Sequence, residues 1–217
     1  YVEWWEENCP DVITGWNSNL FDMPYLITRI ERILGEGEHK RLSPFGLVNK
    51  RPIRFANREM TAFEITGVAQ LDYLDLYKKF TYVNRESYKL DFIAETELGK
   101  NKLESGYDTF KEFYDNDWNR FVEYNIIDTV IVDELEDKMQ LIQLALTMAY
   151  DAKCNFGDVF SPVRIWDSLI YNYLWERKVV VGQGGGRKDR QIEGAFVQEP
   201  KPGSYESVSY THLTLPT

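Results

Sequence analysis

Between Asp11 and Leu34 the chain passes from a strand pattern to a helix pattern within a few residues, and this junction constrains the fold most. Asp11–Trp16 (DVITGW) reads as a short buried strand ending in a turn. Met23, Leu26, Ile30, Ile33 and Leu34 then recur at helical spacing, which predicts an amphipathic helix over 24–34. Pro24 suits its first turn and Gly35-Glu36-Gly37 ends it. A strand feeding a helix this directly points to an α/β chain, and the junction also places an aromatic and an acid, Phe21-Asp22, where the two elements meet.

The remaining pattern fits that class. Residues 51–55 and 61–65 flank Ala56-Asn57-Arg58-Glu59 and predict a β-hairpin with a polar, basic tip. Residues 67–71 read as a further strand, and 72–80 and 89–98 as helices. Asp117–Lys138 reads as a long helix with Phe121, Val122, Ile126, Val130 and Ile131 among its apolar positions, followed by a second helix over 140–153. Ser161-Pro162 is an N-cap followed by a proline at the first helical position. Behind it Ile165, Trp166, Leu169, Ile170, Tyr173 and Leu174 form one apolar stripe, read as packing rather than a cofactor site. Gly182-Gln183-Gly184-Gly185-Gly186 with the Arg-Lys-Asp-Arg after it is a linker and lacks the Gly-Lys-Ser/Thr of a phosphate loop. Ala195–Val197 begins another strand.

Composition narrows the chemistry. Hydrophobic residues make up 43% of the 217, enough for a core, and no run of eighteen apolar residues predicts a membrane span. The start, Tyr-Val-Glu-Trp-Trp-Glu-Glu, lacks the basic and apolar runs of a signal peptide and reads as an element begun upstream. Cys9 and Cys154 are far apart with no Cys/His cluster, and His39 and His212 are too few for a histidine site, so no zinc site or disulfide framework is expected. Net charge is −10. It is unevenly spread: Asp91–Asp137 holds fourteen acids and four bases, whereas Lys40–Arg58 holds six bases (Lys40, Arg41, Lys50, Arg51, Arg54, Arg58) and no acid. The acidic stretch suits metal ions and the basic one phosphates, although two solvated faces of opposite sign would read the same way.

Two clusters carry chemistry. In Thr14-Gly15-Trp16-Asn17-Ser18-Asn19-Leu20-Phe21-Asp22-Met23-Pro24, an acid at a strand-to-helix switch offers hard oxygen to a divalent cation, and a neighbouring ring can stack on a base. Alone, Asp22 reads equally well as a helix cap and Phe21 as core. In Tyr124-Asn125-Ile126-Ile127-Asp128 the phenol and carboxylate are four residues apart and share a helix face. Either cluster by itself is weak.

Together, Asn-x-x-x-Phe-Asp followed about a hundred residues later by Tyr-x-x-x-Asp resembles the second and third exonuclease motifs of family B DNA polymerases, within the ribonuclease H-like DEDD exonucleases. Leu71–Phe80 (LDYLDLYKKF), Ser87–Glu95 (SYKLDFIAE), Glu123–Leu135 (EYNIIDTVIVDEL), Phe160–Asn172 (FSPVRIWDSLIYN) and Gly194–Pro200 (GAFVQEP) resemble the polymerases of large tailed phages, in the family's order, so the resemblance spans about residues 1–207. It implies a ribonuclease H-like 3′→5′ exonuclease domain over 1–139, a mixed sheet flanked by helices with a protruding hairpin. A helical segment (140–183), a linker (184–193) and the first strand of the palm (194–207) would follow. Val208–Thr217 (VSYTHLTLPT) is identical to the conceptual translation of a transposase-based sequencing adapter and is set aside.

By the same resemblance Asp22 and Asp128 would be metal ligands and Tyr124 would position the attacking water. Phe21 would pack against the unpaired 3′ end, Asn17 and Trp16 would lie near the single-stranded DNA groove, and Arg58 would sit near the hairpin tip that parts primer from template. Mg²⁺ is the implied cofactor, with Mn²⁺ as the alternative, in a two-metal phosphodiester hydrolysis. Primer-template DNA with a single-stranded 3′ end, dNTPs, a sliding clamp and replisome proteins are the implied partners, in the cytoplasm of an infected bacterial host. The family's first motif, Asp-x-Glu, is not found in the 21 residues before Asp22, and the catalytic palm carboxylates are not reached, so the polypeptide as it stands is expected to polymerise nothing and digest little. A stand-alone DEDD exonuclease, possibly acting on RNA, and a non-catalytic DNA-binding module are the competing readings.

Overall fold

The computed structural model describes residues 1–55, 58–100 and 106–182, the side chains of Arg54, Phe55 and Arg58 excepted. The chain divides into two units, Tyr1–Val180 and Val181–Thr217; the fold described here is that of the first. The hairpin tip at 56–57, the expected linker at 184–193, the palm strand at 194–207 and the tail at 208–217 lie outside the described residues.

The order of elements is α1 (Val2–Asn8), β1 (Val12–Ile13), α2 (Asp22–Leu34), a 3₁₀ turn (Glu38–Leu42), β2 (Val48–Phe55), β3 (Arg58–Ile65), β4 (Ala69–Gln70), α3 (Tyr73–Phe80), α4 (Leu90–Leu98), α5 (Phe110–Asn116), α6 (Trp118–Met139), α7 (Leu141–Ala152), a second 3₁₀ turn (Phe156–Phe160) and α8 (Pro162–Glu176). β1 and β4 pair in parallel, Val12 opposite Ala69 and Ile13 opposite Gln70. β2 and β3 pair antiparallel from Val48 opposite Ile65 to Phe55 opposite Arg58.

Two apolar cores lie on either side of β1. The first joins α3, α4, α6 and α7 through Leu71, Tyr73, Leu76, Tyr77, Ile93, Ile131, Leu135, Leu141 and Ala145, with Val12 and Trp16 packed against it. The second joins α1, α2 and the base of the hairpin through Trp5, Met23, Ile27, Ile30, Leu42, Phe63 and Ile65, with Ile13 against it. Successive strand residues face opposite ways, so two residues suffice to tie β1 to both cores. At the joint of α6 and α7, Gln140 adopts a left-handed backbone (φ 52°). The Glu136 carboxylate accepts from Ile142 N–H (3.0 Å) and Gln143 N–H (3.1 Å), placing a negative charge on the amino end of α7.

Gly67, which turns the chain from β3 into β4, sits at φ +94°, and a Cβ there would meet Pro44 Cγ at 2.6 Å. Only glycine suits both the backbone and the close approach.

Several expectations need correcting. In place of one mixed sheet, the described residues carry two separate two-stranded pairs, one parallel and one antiparallel. The parallel pair is two residues long on each side, because α3 begins at Tyr73 soon after β4. α2 begins at Asp22, two residues earlier than its apolar spacing suggests, because Phe21 C=O already accepts Tyr25 N–H (3.2 Å). The stripe on α8 is not packed throughout: Trp166, Ile170 and Tyr173 are exposed, and no α8 residue is fully buried. Ile126 and Val130 of α6 are likewise exposed, since that helix buries only Ile131, Val132 and Leu135. Helices α1 and α5 were not foreseen.

Candidate active site

The path from β1 to α2 is built of directional contacts. Ala69 N–H donates to Asp11 C=O (2.8 Å), Leu71 N–H to Ile13 C=O (2.9 Å) and Tyr73 N–H to Gly15 C=O (2.9 Å), extending the parallel register past the strand. Thr14 Oγ1 donates to Leu71 C=O (2.7 Å) and Trp16 Nε1 to Tyr88 C=O (3.2 Å). The Trp16 ring lies beside Tyr73 and Tyr77 (centroids 6.4 and 6.1 Å), half-buried on the first core.

Asn17 then takes a left-handed backbone (φ 62°). Asparagine tolerates that region better than most side chains. Its C=O accepts from Leu20 N–H (3.3 Å) and Phe21 N–H (3.2 Å), closing a turn that runs into α2. The outcome is a ring and a carboxylate side by side at a helix start: Phe21 is 70% exposed, and Asp22 stands in the first turn of α2. Phe21 occupies the cap position with no side-chain cap bond, so the reading of Asp22 as the N-cap does not hold. Neighbouring protein atoms desolvate the Asp22 carboxyl and push its pKa up, with its own backbone N–H opposing in part.

Tyr124 and Asp128 lie on α6, both half-buried. Phe113 of α5, fully buried, meets the Tyr124 ring edge-on (5.7 Å, 88°), and Phe110 meets it at 6.0 Å. Tyr107 stacks on Phe113 (5.3 Å) and Phe121 packs against it (5.4 Å), so Tyr107 and rings from α5 and α6 form a small aromatic cluster separate from the two main cores.

The predicted residues thus fall into three settings. Trp16 and Asn17 are joined to the α3 region, Phe21 and Asp22 begin a helix of the second core, and Tyr124 and Asp128 sit on a helix of the first. The backbone of Arg58 opens β3, while its side chain lies outside the described residues. Among the described residues no group of three or more His, Cys, Asp or Glu is gathered to hold a metal ion. Two carboxylates are too few for a closed two-metal centre, so the described residues do not by themselves fit one.

Two residues with a bearing on this site had no assigned role in the sequence reading. Asp72, taken only as the first residue of a helix, also bonds the loop before Asp22, a contact across more than fifty residues with no local signature. Phe113 belongs to α5, whose start was readable: Thr109-Phe-Lys-Glu112 has the spacing of a capping box, and the Thr109 hydroxyl accepts from Glu112 N–H (3.2 Å).

Comparison with known proteins names the class. Residues 1–93 match the family DNA polymerase family B, exonuclease domain. Over that region the chain is similar to that family, whose exonuclease domains are ribonuclease H-like and generally metal-dependent. More particularly, it is 40% identical to the DNA-directed DNA polymerase of Escherichia phage RB69 over 99% of this chain and 24% of that protein. It is 40% identical to the DNA-directed DNA polymerase of Enterobacteria phage T4 over 93% of this chain and 22% of that protein. Similarity reaches the DNA polymerase delta catalytic subunit of Schizosaccharomyces pombe, 26% identical over 91% of this chain and 19% of that protein. The chain spans about a quarter of the length of its phage relatives.

Proposed function

We propose that the chain is the exonuclease region, over 1–139, of a phage DNA-directed DNA polymerase, and that its site removes nucleotides from an unpaired primer 3′ end. The observation that carries this is the exposed Phe21 ring beside the Asp22 carboxylate at the start of α2, in a chain similar along 99% of its length to one such polymerase. A protruding ring gives the terminal base a face to stack on, and the adjacent carboxylate lies where the last phosphodiester would arrive.

In this reading Phe21 packs on the terminal base, while Asn17, Trp16 and Arg58 border the single strand. Tyr124, its ring set by Phe113, orients the attacking water through its hydroxyl. Asp22 and Asp128 would be this chain's ligands to Mg²⁺ or Mn²⁺, with the remaining ligands supplied by the longer protein. Template-directed synthesis from dNTPs, contacts with a sliding clamp and replisome, and residence in the host cytoplasm belong to that longer protein.

The test is binding by the full chain of a 5′-labelled single-stranded oligonucleotide, read by anisotropy, together with Mn²⁺ titration. Stacking on an aromatic contributes about 1–3 kcal/mol per base, so Phe21→Ala should weaken oligonucleotide binding about 5- to 150-fold. Asp22→Ala and Asp128→Ala should each lower Mn²⁺ affinity. Binding of the oligonucleotide and of Mn²⁺ unmoved by all three substitutions would overturn the proposal.

A further inference from the structure

Asp72 ends the stretch that follows β4 and is 2% exposed. Its carboxylate accepts three backbone N–H groups. Oδ1 takes Leu74 N–H (3.0 Å), which caps α3, and Asn17 N–H (2.9 Å). Oδ2 takes Asn19 N–H (2.9 Å). Capping a helix requires one short polar side chain and one acceptor, and a serine would do it. The second function explains why a carboxylate stands there: its two oxygens reach 53 and 55 residues back to fix alternate amides of the loop before α2.

That loop transmits the constraint to the site. Asn17 C=O accepts Phe21 N–H, and Ser18 C=O accepts Met23 N–H (2.9 Å), so the residues held by Asp72 are those that start α2 and set the direction of Phe21 and Asp22. Burial costs a carboxylate free energy unless its oxygens are satisfied. The fold accepts this cost at Asp72 with three backbone amides on its oxygens, and the pKa is pushed up by desolvation despite the Asn19 bond.

We infer that Asp72 is a positioning residue for the candidate site: its carboxylate locks the Asn17–Asn19 turn to the amino end of α3 and thereby holds Phe21 and Asp22 in place. The inference rests on the reading of Phe21 and Asp22 as the seat of a DNA 3′ end.

The test compares Asp72→Ser, which keeps a cap for α3 but is too short to reach both loop amides, with Asp72→Asn, which keeps one carbonyl oxygen. Both are made in the full chain beside Phe21→Ala. Amide hydrogen exchange and single-stranded oligonucleotide binding are read on each. Asp72→Ser should raise exchange at Asn17 and Asn19 about tenfold or more, leave α3 protected, and weaken binding by a large part of the Phe21→Ala effect. Asp72→Asn should fall between Asp72→Ser and wild type, a rescue that general loss of stability would not produce. Loop amides released with binding unchanged, in a chain where Phe21→Ala does weaken it, would overturn the positioning role. Binding unchanged in Phe21→Ala would instead overturn the site reading on which it rests.

Discussion

The loop before Asp22 is held by hydrogen bonds that reach 53 to 72 residues along the chain, whereas Tyr124 is held by rings drawn from residues 107–124. The first arrangement is polar and directional, so moving one donor by an ångström breaks it. The second depends on filled volume and tolerates small shifts while the rings stay in contact. The loop that carries Asp22 and the ring of Tyr124 are therefore held by different kinds of contact, and damage to either support should stay local.

Removing the ring at the centre of the aromatic cluster is the most severe challenge to that claim. Phe113 is fully buried, and Phe→Ala in such a place costs about 3–5 kcal/mol. We expect Phe113→Ala to lower stability by that order in denaturant titration and to release the amides of α5 and of the first turns of α6. Amides of Asn17 and Asn19 should keep their protection. Equal release in both places would show that the two supports are one cooperative unit.

A milder change attacks the polar side. Thr14→Val keeps the shape of the side chain but removes the donor to Leu71 C=O, and Leu71 is fully buried. Leaving a buried acceptor short of a partner costs about 1–3 kcal/mol. Faster exchange should appear at Leu71 and Tyr73, whose amides bond Ile13 and Gly15, with that of α6 unchanged. Loss of α6 protection would contradict the separation.

The same contrast explains what could be read from sequence. Element types were legible where a local rule applied: the Ser161-Pro162 cap, the apolar spacing that ends in the last turns of α2, and the polar, basic segment between the two strands of the hairpin. The Phe21-Asp22 junction was visible as residues side by side, and the match along the chain to phage polymerases agrees with the family read from those motifs. What could not be read was long-range pairing. Nothing near Asp72 announces that its oxygens serve Asn17 and Asn19, and nothing in the stripe Ile165–Leu174 announces that Trp166 and Tyr173 stand exposed. Hydrophobic spacing reports which face of a helix is apolar, and what covers that face is decided by distant parts of the chain.

One network joins the two regions and gives the smallest, most specific prediction. Tyr77 of α3 donates to Glu97 Oε1 (2.8 Å), Arg85 Nη2 donates to the same oxygen (2.7 Å), and Lys138 at the end of α6 lies 3.5 Å from Glu97 Oε2. Burial works to raise the Glu97 pKa, but the bonds from Tyr77 and Arg85, with the nearby Lys138 charge, outweigh it and the carboxyl is held below its ordinary value. A depressed folded pKa means that the carboxylate's contribution is fully present above the unfolded value of about 4.3 and is lost as pH falls through the folded one. For a carboxylate whose desolvation offsets much of its gain, the contribution should be about 1 kcal/mol or less. Wild type should therefore lose slightly more stability between pH 6 and pH 3 than Glu97→Gln, which has no carboxylate to protonate. If the contact between α3 and α6 runs through this network, acid should also release α3 amides before those of α7, which shares the first core with α3. Identical acid profiles for the two chains would mean that packing in the first core, and not this carboxylate, connects the clamped loop to the helix of Tyr124 and Asp128.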